Sequence, residues 1–145
     1  MKISAKGRYS LAALVQVAKV TESGQLATVA EISSGLGISK IFLEQAFSEL
    51  KKAKILTSVK GAKGGYSLNP NISKLTVYDI LQAVDNSLFL PTEKTVENIP
   101  TEATLEMVWN KLDKSVGDVL GGITLADLVD YEEEQNFNFS YMINM

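Results

Sequence analysis

The stretch from Thr28 to Leu68, TVAEISSGLGISKIFLEQAFSELKKAKILTSVKGAKGGYSL, leaves the chain few choices of fold. Thr28-Val29-Ala30-Glu31 has the form of a capping box, in which Thr28 accepts a free backbone N–H and Glu31 reaches back. It opens a short helix through about Ser34. Gly35-Leu36-Gly37-Ile38 reads as a turn, with glycines that permit positive φ and two apolar residues to hold it. Ser39 then caps a second helix, over about Lys40 to Lys54. Leu43, Ala46, Phe47 and Leu50 fall at i, i+3, i+4 and i+7 and form its inward face. Ile55 to Val59 and Tyr66 to Leu68 alternate loosely on either side of Lys60-Gly61-Ala62-Lys63-Gly64-Gly65, which makes a hairpin with a glycine-rich tip. The order is helix, turn, helix and then a wing.

The outward side of the second helix carries Lys40, Glu44 and Gln45 near its start and Ser48, Lys51 and Lys52 further on. A helix that enters a DNA groove needs such a layout. Gln can pair with adenine, Glu can accept from the amino group of cytosine, and cations meet phosphates. A polar outward face is equally what most surface helices present, and the wing that follows tips the balance toward DNA. Lys60 and Lys63 sit on backbone that can approach another surface closely, which suits the enhanced negative potential of a narrow minor groove. A nucleotide-phosphate cradle is the competing use of a glycine-rich loop. The spacing matches neither GxGxxG nor GxxxxGK[ST], and no helix start follows, so that reading is rejected.

Charge is divided along the chain. Residues 1–68 hold ten Lys/Arg against four Asp/Glu, a net +6, while residues 69–145 hold four against thirteen, a net −9, which together make the overall −3. A basic half on an acidic chain is the footprint of an anion-binding face, although two solvated surfaces of different sign would also give it. There is no Cys and no His. That removes disulfides, thiolate metal ligands, cysteine-ligated clusters, the commonest general base and the commonest neutral metal ligand. No convergent carboxylate cluster replaces them, so neither an enzyme nor a bound cofactor is expected. MKISAKGRYS lacks the apolar core of a signal peptide, and no apolar run approaches the ~20 residues of a membrane span. A cytoplasmic protein without a membrane partner is expected.

Ahead of this stretch, Met1 to Thr21 reads as a helix capped by Ser4, with Leu11, Leu14, Val15 and Ala18 as its apolar stripe. Lys6 and Arg8 stand in its first turns, where the helix dipole favours acids. Either an anion wants them there or they are ordinary solvated charges. Beyond the wing, Thr76-Val77-Tyr78-Asp79 caps a fourth helix with Val77, Ile80, Leu81 and Val84 inward, ending near Asp85-Asn86. Residues 86–103 have no period and include Pro91 and Pro100. They form a connecting loop of a length that is often functional or mobile. Thr104 to Leu120 is the longest helix, with Leu105, Val108, Trp109, Leu112, Val116, Val119 and Leu120 along one face for about 25 Å. It pairs with a second copy or packs back on its own domain, and a two-fold suits palindromic DNA. Gly121-Gly122 ends it. Thr124 caps a last short helix through Tyr131, and residues 132–145 read as a tail that docks as a strand or frays.

Four segments carry a resemblance: MKISAKGRYSL, ISKIFLEQAFSELKKAKIL, VKGAKGGYSL and WNKLDKSVGDVLGGITLADL. In this order, over about residues 1–131, the chain closely resembles the Rrf-two family of bacterial winged-helix regulators. The resemblance implies a mainly α fold with a small β-hairpin, that is, a winged helix-turn-helix plus a long C-terminal dimerisation helix. Its expected divisions are a DNA-binding domain over 1–85, the loop 86–103, dimerisation helices over 104–131 and the tail 132–145. It implies a homodimeric transcription regulator, usually a repressor, on a partly palindromic operator in double-stranded DNA. The family's LEQ triplet falls on Leu43-Glu44-Gln45 and assigns base contacts to Glu44 and Gln45, with Ser39 and Lys40 at the groove edge. Phe42 and Tyr66 join the implied DNA-contact set, which otherwise comprises Lys6, Arg8, Ser48, Lys51, Lys52, Lys60, Gly61, Lys63, Gly64 and Gly65. The family usually has Arg where Lys60 stands, and lysine lacks the planar fork. Ile41 stands where some relatives have a polar residue. Cluster-binding relatives place three cysteines in the 86–103 region and this chain has none, so it looks like the cysteine-free branch that includes CymR, with no iron–sulfur cluster. The alternative is a winged helix used for protein–protein contact, working through a partner enzyme or regulator. A partner protein or a small-molecule effector is left open.

Overall fold

The computed structural model describes residues 2–70 and 73–144. Met1, which the expected first helix included, and Met145 of the tail lie outside the described residues. The elements run α1 (Ala5–Glu22), α2 (Val29–Leu36), α3 (Lys40–Lys52), β1 (Leu56–Val59), β2 (Gly65–Leu68), α4 (Val77–Val84), a 3-10 turn (Asn86–Phe89), α5 (Pro100–Gly121) and α6 (Leu125–Ile143).

Short-range chemistry starts and stops these helices. Ser4, Thr28, Ser39, Thr76 and Thr124 each accept a backbone N–H at an N-terminus. Thr76/Asp79 and Thr124/Asp127 form reciprocal capping boxes, while at Thr28 only the forward bond from the Glu31 N–H is made. α2 extends through Gly35 and Leu36, two residues beyond the expected end, and stops at Gly37, whose φ of 68° is left-handed. There the Ser33 hydroxyl donates to the Ile38 carbonyl and fixes the turn into α3.

α1 is the central helix, and α2, α3, α4, β2 and α6 all pack against it. Its buried face is rotated from the expected stripe. Gly7, Ser10, Ala13, Leu14, Val17 and Ala18 are inside, while Leu11 and Val15 are only half-buried. Close approach of α4 is the reason: a Cβ on Gly7 would stand 3.0 Å from Leu81 Cδ2. The core gathers Leu14 and Val17 with Leu43, Phe47 and Leu50 of α3, Leu56 of β1, Ile80 of α4, and Leu125 and Val129 of α6. The start of α6 therefore belongs to the same core as the helix-turn-helix. It is stitched there by the Val77 N–H to the Ile123 carbonyl and the Leu125 N–H to the Leu75 carbonyl, both 2.8 Å.

The C-terminal third departs from expectation in three ways. α5 begins at Pro100 rather than Thr104, and the 86–103 segment is not featureless, because a 3-10 turn opens it. Proline at N1 and an acid at N3 are a helix-start signal that a search for apolar periodicity passes over. The acid, Glu102, is buried, and its carboxylate accepts from the backbone N–H of Thr95 at 3.1 Å and of Val96 at 2.9 Å. It ties the loop back over the start of α5. Glu102→Ala should therefore orphan two backbone donors and destabilise by about 1–3 kcal/mol, with limited proteolysis cutting first within residues 90–99. Third, residues 132–143 are neither a strand nor a frayed end, because α6 continues through Ile143.

Candidate nucleic-acid interface

α3 divides its residues cleanly. Leu43, Ala46, Phe47 and Leu50 are buried, while Ile41, Glu44, Gln45, Ser48, Lys51 and Lys52 are exposed. Ile41, Glu44, Gln45, Ser48 and Lys52 line one shallow groove along the outer face, joined by Glu49. Ile41 is 72% exposed, so an aliphatic side chain stands among the polar ones at the start of the helix. Ser39 and Lys40 are exposed at the same end. Ser39 is occupied as the N-cap, accepting from the Phe42 N–H at 3.4 Å.

The wing is an antiparallel pair with Leu56 opposite Leu68 and Val59 opposite Gly65. Ala27 adds a third short rung: its N–H donates to the Tyr66 carbonyl at 2.8 Å and its carbonyl accepts from the Tyr66 N–H at 2.7 Å. Lys60, Gly61 and Lys63 are exposed at the tip. Gly61 has φ of 113°, a conformation that glycine adopts without strain. Gly64 and Gly65 are half-buried and matter for packing, since a Cβ on Gly64 would lie 2.0 Å from the Val59 carbonyl oxygen and one on Gly65 2.8 Å from that of Ala27. The Tyr66 ring turns inward and meets Phe47 edge-on, with centroids 5.0 Å apart. Tyr66 thus anchors the wing to α3 through Phe47, while Gly64 and Gly65 let the backbone close against Val59 and Ala27 and the lysines face outward.

The start of α1 stands beside α3. Lys6 Nζ is 2.5 Å from Glu49 Oε1 and both side chains are about a third exposed, so the pair contributes only about 0.2–1 kcal/mol and serves chiefly to set the two helices in register. Tyr9, which the sequence reading did not select, packs edge-on against Phe42 at 5.4 Å, and the Arg8 guanidinium lies 5.7 Å from the Tyr9 ring. Arg8 is exposed on the same side. No local pattern marks Tyr9, because its partner is on another helix. At the rear of this corner, the Asp85 carboxyl is held below its ordinary value by hydrogen bonding, first from Ser4 and then from Ser87.

The seven residues singled out on α5 split into two rows. Leu105, Trp109, Val116 and Leu120 are half-buried, and Val108, Leu112 and Val119 are exposed at 47–60%. α5 packs against α4 of its own chain, and the row of Val108, Leu112 and Val119 is uncovered.

A two-helix unit whose second helix shows a polar face, followed by a lysine-tipped wing, defines a winged-helix, DNA-binding transcription regulator. The Rrf2 family, described as "Iron-dependent Transcriptional regulator", matches residues 3–131. This chain belongs to that family. It is 34% identical over 138 residues to the HTH-type transcriptional regulator IscR of Pectobacterium atrosepticum, covering 94% of this chain and 84% of the relative. The IscR of Aliivibrio salmonicida is 36% identical, covering 93% and 82%. Among solved structures, CymR, the global cysteine regulator of B. subtilis, is similar with a TM-score of 0.77 and 31% identity, covering 90% of this chain and 98% of CymR. T. potens IscR is similar with a TM-score of 0.76 and 30% identity, covering 93% and 90%. The family is one of transcriptional regulators and not of enzymes.

Iron is implied by the family description, but the donor set here does not fit it. The sequence contains no Cys and no His, and among the described residues no group of three or more carboxylates could hold a metal ion. Among the described residues, too, no helix is long and apolar enough to cross a membrane.

Proposed function

We propose that this regulator acts as a homodimer that represses transcription from a partly palindromic operator, without an iron–sulfur cluster and in the cytoplasm. The observation that carries this reading is the exposed face of α3, where Glu44 and Gln45 are free to meet base edges and Lys40, Lys51 and Lys52 flank them as phosphate contacts. Ile41 supplies apolar contact of the kind that a thymine methyl group takes. Lys60 and Lys63 reach the adjacent groove from the wing tip. Ser48 and Arg8 lie on the periphery as further polar contacts, while Phe42, Tyr66 and Lys6 position the reading helix through Tyr9, Phe47 and Glu49. A dimer bound across a promoter occludes it, which makes repression the direct consequence of binding. The exposed row Val108, Leu112 and Val119 supports the two-fold that a palindrome requires. We group residues 1–85 as the reading unit and 104–131 as the helices that pair.

The test begins with duplexes selected from a random pool. Affinity for the selected duplex should fall steeply with salt, because each neutralised phosphate releases counterions. Lys60→Ala with Lys63→Ala removes four cations from the dimer and should weaken binding to all sequences and reduce the salt slope by about 4, whereas Gln45→Ala should relax preference at one base pair of each half-site by ~1–3 kcal/mol. Equal operator affinity before and after treatment with an iron chelator is expected. A loss of binding on chelation would overturn the cluster-free reading, and failure to bind any duplex at low salt would overturn the whole assignment.

A further inference from the structure

The end of α3, the base of the wing and α4 bound an open cavity of about 620 Å³, a size that suits a small organic ligand. Its floor is apolar, with Ile55 buried and Leu68 and Leu75 half-buried. Its rim is charged. Lys54 and Lys74 are both exposed there, and among the described residues neither forms a salt bridge. Gln82 adds an exposed side-chain amide. The acid on the rim, Asp79, is already engaged, because its carboxylate accepts from the Thr76 N–H at 3.1 Å in the capping box that starts α4. Lys54 also stands in an unusual backbone. Its φ of 63° is left-handed, a conformation that glycine adopts without strain and lysine does not. Asn69 holds it there: its side-chain amide donates to the Lys54 carbonyl, and its backbone N–H donates to the Ile55 carbonyl at 3.1 Å. A lysine kept in strained backbone at the edge of a cavity points to a use for its side chain.

We propose that this cavity is an effector site for an organic anion with an apolar body. Charge and shape together choose the ligand. Two unpaired cations call for a negatively charged head group, and a bare inorganic anion would leave the apolar floor wet. A neutral apolar molecule would leave the lysines unused. The position of the cavity gives the site its consequence. In the hairpin, Val59 and Gly65 close the tip and Leu56 and Leu68 the base, so the cavity lies at the other end of the wing from Lys60 and Lys63. A ligand that touches α3, the wing base and α4 at once favours one setting of the wing against α3, and differential affinity for that setting shifts operator affinity. The site stands independently of the operator reading above; only its effect on DNA rests on that reading.

The test uses the full-length protein with 2-naphthoate as the probe, naphthalene-2-methanol as its neutral counterpart and inorganic phosphate as a bare anion, all at fixed ionic strength. Backbone amide NMR shifts report where each binds. Naphthoate is expected to shift the amides of Lys54, Ile55, Leu68 and Gln82 at low millimolar concentration. The neutral counterpart should bind about tenfold more weakly, as should naphthoate to Lys54→Gly and to Lys74→Ala, since each change removes one charge-assisted contact. Lys54→Gly relieves the backbone strain, so it should be at least as stable to urea as the parent. Operator affinity of the parent should change by at least about fivefold on saturation with naphthoate, and that of Lys54→Gly at the same concentration should change much less. No shifts at these amides, or undiminished binding to both lysine variants, overturns the site. Equal binding of the neutral counterpart overturns its preference for anions. Phosphate binding as tightly as naphthoate marks a contact for the DNA backbone and overturns the organic ligand. An unchanged operator affinity in the naphthoate-bound parent overturns the effector role. If no duplex binds at all, the operator reading falls and the effector role with it, while the amide shifts still decide the site.

Discussion

Phe47→Ala is expected to destabilise the protein by about 3–5 kcal/mol. Phe47 is fully buried on the inner side of α3, directly behind the exposed face of that helix. Truncation removes the transfer free energy of the ring and leaves a cavity that the surrounding helices cannot fill by collapse. It also removes the edge-on contact with Tyr66, and such pairs contribute about 0.5–1.5 kcal/mol beyond area. A chain of this size holds a net stability of about 5–15 kcal/mol, so the loss takes a large share of it. Urea denaturation should show a lower midpoint with an unchanged slope. Ser48→Ala, exposed one residue further along the helix, should stay within about 0.5 kcal/mol of the parent. A loss below about 1 kcal/mol for Phe47→Ala would mean that the wing is not fastened to α3 through this ring.

Gly64→Ala should leave the body folded and weaken DNA binding about tenfold or more, with the salt slope reduced by about 4 as the two tip lysines of each copy in the proposed dimer leave their positions. The atoms that a Cβ would meet are backbone: the Val59 oxygen at 2.0 Å, the Val59 carbonyl carbon at 2.9 Å and the Gly61 oxygen at 3.0 Å. No side chain can rotate away, so the tip must open and the closing pair of Val59 and Gly65 must part. Gly35→Ala makes the contrast. Gly35 lies within α2 with nothing inside 4 Å of its would-be Cβ, so alanine there should raise stability by about 0.5–1 kcal/mol through helix propensity. Filter binding over a salt series distinguishes the two. Undiminished affinity for Gly64→Ala would remove the wing tip from the interface.

Both predictions rest on features that differ in how far the sequence reveals them. The glycines of the tip, the capping residues Ser4, Thr28, Ser39, Thr76 and Thr124, and the inward face of α3 were legible because each depends on neighbours within a turn or two. So was the basic character of residues 1–68. The tail was misread because its partly alternating FNFSYMINM pattern resembles a strand as much as a helix, and apolar side chains on all sides of a helix leave no clear period. The start of α5 was misplaced because Glu102 acts through backbone groups of Thr95 and Val96, which no side-chain pattern records.

The sequence by itself thus determined the helix-turn-helix, the wing and the basic sign of residues 1–68, since these follow from local propensity, capping and net charge. Only the tertiary structure decided which way the shared residues point. Lys6 meets Glu49 across 43 positions and Gln16 meets Glu132 across 116. Gly7 admits α4, Tyr66 turns inward onto Phe47, and the stripe on α5 divides into a covered and an uncovered row. Each of these is settled between elements far apart in sequence, and a periodic pattern states that a face is apolar without stating what covers it.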